Sequence, residues 1–193
     1  EKHMSLELSA NEQKNFLALA RESINARLHQ RQPKAIALGN MGREKLGVFV
    51  SLHIARGKHE RSLRGCIGRI KGTEELALSI PAMANAAAFE DPRFPPVKLE
   101  ELEELDIELS ILSAFEECSI NDISPGLHGV YLVHLRGNAI FLPQVAAEQG
   151  WGKEELLEQL SRKAGLHSHA YMDTGARLFR FTALVFGEKE LGR

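Results

Sequence analysis

The sequence lacks the features that would place it in a well-marked functional class. It has two cysteines, Cys66 and Cys118, too few for a disulfide framework, so each is expected to be a free thiol. It contains no glycine-rich phosphate loop, nucleophile elbow, zinc-ribbon cysteine set or dinucleotide-binding fingerprint. No reaction is therefore identified by a short motif alone.

An excess of positive charge and long apolar runs are absent as well. The formal net charge of −2 and the pI near 6.5 argue against a dedicated nucleic-acid binder, which is normally basic. No run is long enough to span a membrane and no secretory signal is visible, so we expect a cytoplasmic protein without a membrane partner. Residues 1–4 resemble an expression-vector remnant, which leaves residues 5–193 as one native domain.

The length, composition and residue patterns predict a globular α+β protein. The length of 193 residues and the 44% hydrophobic fraction suit one domain, or two closely joined subdomains, with a real core. A capping box at Ser9 and Glu12 precedes apolar residues at helical spacing, which predicts a first helix ending near Arg31. Runs rich in β-formers predict a hairpin of residues 47–54 and 63–70, with its turn at 56–60.

The same patterns predict the remaining elements. Thr73 is expected to cap a helix over residues 74–89, which a proline-rich segment ends. Residues 100–106 read as a solvated acidic surface, before a half-buried strand over 107–112. Two helices are then predicted over 144–150 and 153–164, followed by one final strand over 178–186.

A short motif occurs twice and predicts an internal duplication. Residues 47–52 (GVFVSL) resemble residues 129–134 (GVYLVH), and the tripeptide LRG occurs at both 63–65 and 135–137. An apolar strand, a helical stretch and another strand follow each copy. The fold prediction is a mostly antiparallel sheet with flanking helices, in which Asn138 of the second copy replaces Cys66 of the first.

Cys66 and Arg64 are the candidate catalytic residues. Cys66 lies between Gly65 and Gly68 in a β-like run, where glycine permits a bulge or a close backbone approach. By the period of two, Arg64 shares its face, and a nearby positive charge would activate the thiol. The alternative, in which Cys66 is a small apolar packing residue, is equally consistent with the pattern.

Four further residues are candidates for substrate binding. His53, on the neighbouring strand, would accept the thiol proton, or else it is a solvated histidine at a strand end. Asp91 and Arg93 lie on a proline-flanked segment, where they either line a pocket rim or form a salt bridge at the helix exit. Gln144 opens a helix and would donate to a ligand, unless it belongs to ordinary helix-terminus chemistry.

Neither a metal nor a cofactor is predicted. His167 and His169 have a spacing that can chelate a metal on a strand. Carboxylate and cysteine ligands are missing nearby, so two exposed histidines in a loop are the preferred interpretation.

Several motifs together resemble the AMMECR-type domain. They are LRGCIG at 63–68, AAAFEDPRFPP at 86–96, FLPQVA at 141–146, EQGW at 148–151 and RKAGL at 162–166. The family is named for the AMME syndrome chromosomal region, and its prokaryotic members are called AmmeMemoRadiSam system protein A. The resemblance covers nearly the whole chain and implies an α+β domain with a mainly antiparallel sheet and an internal duplication.

The resemblance implies no assigned activity. Family members are associated with a Memo-like protein, related to extradiol dioxygenases, and with a radical-SAM protein. One hypothesis is a pocket of Arg64, Cys66, Asp91, Arg93 and Gln144 that binds or modifies a small substrate beside those partners. The other is a non-catalytic scaffold for protein interactions, so whether the protein is an enzyme stays open.

Overall fold

The computed structural model describes residues 6–56 and 60–192. In this part of the chain the α-helices are α1 (Ala10–Leu28), α2 (Leu76–Phe89), α3 (Pro143–Gln149) and α4 (Lys153–Lys163). The strands are β1 (Val48–Arg56), β2 (Glu60–Arg69), β3 (Leu105–Leu112), β4 (Glu116–Cys118), β5 (Gly129–His134), β6 (Gly137–Phe141), β7 (Arg177–Phe181) and β8 (Ala183–Gly187). They form two antiparallel four-stranded sheets, which confirms the α+β class.

Two sequence predictions lie wholly or partly outside the described residues. These are the vector remnant at residues 1–4 and the middle of the β1–β2 turn at residues 57–59. Within the part that is described, no helix combines the length and apolar character needed to cross a membrane.

The chain divides into two compact units. The first comprises the chain up to Leu112 together with the segment from Leu184, and the second is Ser113–Ala183. Each unit has its own buried apolar cluster. The first cluster includes Phe16, Ile24, Leu52, Ile80 and Ile107, and the second includes Ile123, Leu132, Leu157 and Leu160.

The two sheets have the same strand order. The first runs β2–β1–β3–β8 and the second runs β6–β5–β7–β4. In the first sheet the first hairpin strand, β1, pairs with β3, which follows α2 along the chain. In the second sheet the first hairpin strand, β5, pairs with β7, which follows α4. The fourth strand of each sheet directly follows a strand of the other sheet along the chain. Strand β4 of the second sheet follows β3 of the first, and β8 of the first sheet follows β7 of the second. This repeated topology supports the predicted internal duplication.

The exchange of fourth strands corrects the prediction of one final strand over residues 178–186. That stretch contains β7 and β8, which belong to different sheets, with Thr182 between them. The N–H of Ser113 donates to the Thr182 carbonyl, and the N–H of Thr182 donates to Ser113 Oγ, each at 2.9 Å. Alternation of apolar residues continues across Thr182, so the pattern could not reveal a change of sheet.

The helix starts show where local signals sufficed and where they did not. The capping box of Ser9 and Glu12 is present at the start of α1, as predicted. Helix α2 begins at Leu76, and Thr73 is not its cap. The Leu76 N–H instead donates to the Glu44 carbonyl at 2.9 Å, so a distant residue supplies the acceptor that the local sequence was expected to provide.

Asp106 is a further correction, because the sequence placed it on a solvated acidic surface. It is buried at the start of β3, where its carboxylate accepts a hydrogen bond from Arg61 Nε at 2.9 Å. Burial of this charge is tolerated because a cation from β2 neutralises it.

A glycine on the second strand of each hairpin lets a helix approach the strand. A Cβ at Gly65 would lie 2.1 Å from the Ala87 carbonyl oxygen of α2. A Cβ at Gly137 would lie 2.2 Å from the Ala164 carbonyl oxygen at the end of α4. Both contacts are shorter than real Cβ atoms make, so the repeated LRG motif has the same structural task in both units.

Replacing Gly65 with alanine tests this constraint. We expect Gly65→Ala to lower the free energy of unfolding by about 1–3 kcal/mol, because the added methyl group forces α2 away from β2. Urea-induced unfolding measures the change. The control is Gly187→Ala in β8, where the nearest atom to the new Cβ is 3.6 Å away, and we expect a change within about 0.5 kcal/mol. Equal losses in the two variants would contradict the role given to Gly65.

Candidate functional site

Strand β2 lies at an edge of the first sheet and carries a β-bulge. Its register with β1 shifts, since Leu52 pairs with Gly65 but the next residue, His53, pairs with Leu63. Arg64 is therefore the extra residue of the bulge. The glycine-containing run was predicted to permit a bulge or a close backbone approach, and the structure has both.

The bulge interrupts the simple alternation from which Arg64 and Cys66 were predicted to share a face. The Arg64 guanidinium donates to the Glu101 carboxylate, from Nε at 2.7 Å and from Nη2 at 3.0 Å. Its Nη1 donates to the Pro95 carbonyl at 2.9 Å. The side chain is 11% exposed, and its charge is neutralised by Glu101. This geometry gives no support for activation of the thiol by Arg64.

The side chains of Asp91 and Arg93 bind the backbone of Cys66. The Cys66 N–H donates to Asp91 Oδ2 at 2.9 Å, and the Cys66 carbonyl accepts a hydrogen bond from Arg93 Nη2 at 3.2 Å. These are backbone groups that an additional strand would pair with at the edge of a sheet. Both side chains come from the segment that follows α2, where Pro92 separates them and restricts the backbone.

The Asp91 carboxylate is buried and charged. It is 4% exposed and accepts hydrogen bonds from Arg93 Nε at 3.0 Å, from Arg93 Nη2 at 2.7 Å and from the Arg93 backbone N–H at 3.1 Å. The guanidinium bonds hold the pKa of Asp91 well below the usual carboxyl range, although burial acts in the opposite direction. The salt-bridge alternative for this pair is therefore present in the structure.

Arg93 presents the cationic end of this pair to solvent. Its side chain is 55% exposed, whereas the carboxylate that binds it is buried. Hydrogen bonds to Asp91 raise the pKa of Arg93, and the charge of a Cys66 thiolate acts in the same direction. The guanidinium is thus electrostatically coupled to the residue that carries the thiol.

The Cys66 side chain lies on the face of the sheet opposite α2. Gly65 faces α2, and successive residues of a strand point to opposite faces. The residue paired with Cys66 is Ser51, whose Oγ donates to Cys66 Sγ at 3.3 Å. The Cys66 side chain is partly buried, so it is not a fully enclosed core residue.

His53 is not the direct neighbour of the thiol. It pairs with Leu63, two pairs beyond the Ser51–Cys66 pair. Its Nδ1 is buried and has no hydrogen-bond partner among the residues that the structure describes. Burial lowers the pKa of His53, and the charge of Arg61 lowers it further, so the imidazole is neutral at pH 7. A neutral imidazole can accept a proton, and His53 remains a candidate base.

Sequence reasoning missed Ser51 and Glu101. Ser51 would have been found from the hairpin register, had the position of the bulge been known. Glu101 had no signal, since it lies 37 positions from Arg64 and nothing in the local pattern links the two.

Gln144 and the predicted histidine pair belong to the second unit, whereas Cys66 belongs to the first. Gln144 lies in the first turn of α3. His167 Nε2 is 3.0 Å from Asp173 Oδ2, and His169 Nε2 is 3.6 Å from Glu158 Oε1. Over residues 6–56 and 60–192, no three His, Cys, Asp or Glu side chains are arranged to hold a metal ion.

Comparisons with known proteins match nearly the whole chain. A family model described as AMMECR1 matches residues 17–186. A protein of Methanothermobacter thermautotrophicus is 35% identical over 192 residues, which are 94% of this chain and 96% of the relative. A protein of Thermococcus gammatolerans is 40% identical over 152 residues, or 76% of this chain and 74% of the relative. The crystal structure of uncharacterized protein PH0010 from Pyrococcus horikoshii is similar with a TM-score of 0.83, at 32% identity and with 94% of each chain covered.

Neutralising Asp91 tests its hold on β2. We expect Asp91→Asn to lower the free energy of unfolding by about 1–3 kcal/mol at pH 7, because an amide NH2 would face N–H donors in place of a carboxylate oxygen. Urea-induced unfolding measures the loss. Glu74→Gln is the matched control, since Glu74 forms an exposed ion pair with Arg69 of the same strand, and it should cost less than about 1 kcal/mol.

The same variant carries a pH dependence of defined sign. The pKa of Asp91 is lower in the folded protein than the value of about 3.9 in an unfolded chain. Its stabilisation is complete above the unfolded value and is lost as pH falls through the folded value. The difference between wild type and Asp91→Asn should stay constant down to about pH 5 and narrow below about pH 4. A difference that widens in acid would contradict this assignment.

Proposed function

This chain belongs to the AMMECR1 family, and we propose that its first unit binds or modifies a small substrate at Cys66. The supporting observation is the pair of hydrogen bonds by which Asp91 and Arg93 hold the backbone of Cys66. Holding both the N–H and the carbonyl fixes the direction of the thiol, which is the requirement for a positioned nucleophile.

Each neighbour of Cys66 has a defined role in this proposal. Cys66 Sγ is the reacting atom, and the Ser51 hydroxyl donates to it at 3.3 Å. His53 is the candidate acceptor of the thiol proton. Arg93 lies at the substrate side, because its guanidinium is exposed beside the Cys66 backbone. Arg64, the other residue predicted to be catalytic, binds Glu101 and the Pro95 carbonyl, and in this proposal it holds that segment.

We extend the proposal to the partners that the resemblance implies. The protein would act in the cytoplasm beside a Memo-like protein and a radical-SAM protein. The substrate would then be shared with, or passed between, these partners.

A non-catalytic scaffold is the second candidate function. It is favoured by Leu135, a large apolar side chain that is 98% exposed at the turn between β5 and β6. Trp151 is a weaker choice for an interaction site, because its ring packs against Phe141 with the ring centres 5.6 Å apart. Phe94 packs beside the Arg93 guanidinium, so it belongs to the surroundings of Cys66.

The reactivity of the two cysteines tests the proposed site. We expect iodoacetamide to modify Cys66 faster than Cys118 in the folded protein at neutral pH. Burial raises the pKa of Cys118, which leaves a smaller fraction of that residue as thiolate. Mass spectrometry resolves the two sites, and the rates should converge in urea. A Cys66 that reacts only after unfolding would contradict the proposal.

Two variants separate an enzyme from a scaffold. Cys66→Ser retains the size and polarity of the side chain, so we expect a melting temperature close to that of wild type and unchanged partner binding, but no turnover. Leu135→Ser removes the exposed apolar side chain at the β5–β6 turn and should leave turnover intact. Binding to the purified Memo-like and radical-SAM proteins is measured by calorimetry. Loss of binding in Leu135→Ser, with no Cys66-dependent turnover, would favour the scaffold.

A further inference from the structure

We propose that the substrate taken at Cys66 carries a carboxylate group, which binds the open side of the Arg93 guanidinium. This inference rests on the proposed function and adds the chemical class of the substrate.

One nitrogen of the Arg93 guanidinium, Nη1, is open. Nε and Nη2 are used by Asp91 and by the Cys66 carbonyl. Nη1 makes no hydrogen bond with any residue that the structure describes, and this nitrogen carries two N–H groups. The side chain is more than half exposed, with the Phe94 ring centre 5.4 Å from Cζ. A ligand can therefore reach Nη1 without displacing a protein partner.

The orientation of this guanidinium is already set. Its two bonds to the buried Asp91 carboxylate form a bidentate pair, which fixes the plane of the group. A ligand that binds Nη1 does not have to order a mobile arginine side chain, which lowers the entropic cost of binding.

The charge of the pair favours a ligand with one negative charge. Asp91 is buried, so an approaching ligand meets the guanidinium first, but the carboxylate still offsets part of its charge. The two N–H groups of Nη1 can donate to an oxygen of a singly charged carboxylate, and among the described residues no second cation that a doubly charged phosphate would favour is shown beside them. One open nitrogen on a partly neutralised cation fits a carboxylate.

Arg61 and Arg64, two of the three arginines of β2, do not offer an equivalent position. All three Arg64 nitrogens are bound to Glu101 and Pro95. Arg61 lies between two carboxylates, Asp106 and Glu108, so its surroundings carry more negative than positive charge. Among the described residues, Arg93 is thus an arginine that binds the Cys66 backbone and still has a nitrogen without a protein partner.

Iodoacetate and iodoacetamide provide the test, because the two reagents differ in charge and are similar in size. In both reactions the thiolate forms a bond to the methylene carbon, the carbon–iodine bond breaks and iodide leaves. The measured quantity is the ratio of the iodoacetate rate to the iodoacetamide rate at Cys66, followed by mass spectrometry. Division by the same ratio in urea-unfolded protein removes the intrinsic difference between the reagents.

We expect this normalised ratio to be about 5 at low salt, because the attraction between one pair of charges in water corresponds to a factor of that size. It should fall towards one at high ionic strength, where charges are screened within about 3 Å. Arg93→Gln should abolish the enhancement. The control is Arg69→Gln, which removes an exposed arginine from β2, the strand that carries Cys66, and should leave the ratio unchanged.

The outcomes separate this inference from the proposed function. A Cys66 that reacts rapidly with both reagents at a normalised ratio of one would overturn the carboxylate preference and leave the site proposal standing. An enhancement that survives in Arg93→Gln would overturn the assignment to Arg93. A Cys66 that reacts with neither reagent while folded would overturn both proposals. An enhancement that is lost only in Arg93→Gln would support the inference.

Discussion

The close approach of α2 to β2 at Gly65 is the constraint on which the geometry of the first unit depends. Because Gly65 has no side chain, the Ala87 carbonyl can lie against the strand, and α2 ends within reach of the sheet edge. Asp91 then accepts the Cys66 N–H, and Arg93 binds the adjacent carbonyl. The position of the thiol follows from helix packing, so substitutions in the contact between α2 and β2 should alter the site without touching Cys66.

The second unit shows which parts of this arrangement belong to the fold. Gly137 contacts the end of α4 as Gly65 contacts α2, and Lys163 Nζ donates to the Ile140 carbonyl of β6 at 2.9 Å. In both units a side chain from the helical segment thus binds a backbone group of the hairpin's second strand. What differs is Cys66, which is replaced by Asn138. We therefore expect function to reside in what the first unit adds to a shared framework.

The candidate site was only partly predictable. Cys66, Asp91 and Arg93 were singled out from glycine and proline signals, and the structure places them in one hydrogen-bonded group. The face of Arg64 could not be derived from alternation, because one extra residue in the bulge interrupts every alternation argument that crosses it. Its partner Glu101 could not be anticipated, since an ion pair between distant positions leaves no periodic pattern in the chain.

The sequence by itself determined the family, the capped start of helix α1 and the two hairpins with their glycines. These depend on interactions between residues a few positions apart, which spacing and residue type report. The tertiary structure decided which sheet each strand joins, and it separated β7 from β8 at Thr182. It also decided which charged side chains have all their donors bound, as Arg64 does, and which keep a donor without a partner among the described residues, as Arg93 does. Periodicity shows which face of a strand is buried but not which strand lies beside it, and the partners of Asp91, Arg64 and Leu76 are set by that packing.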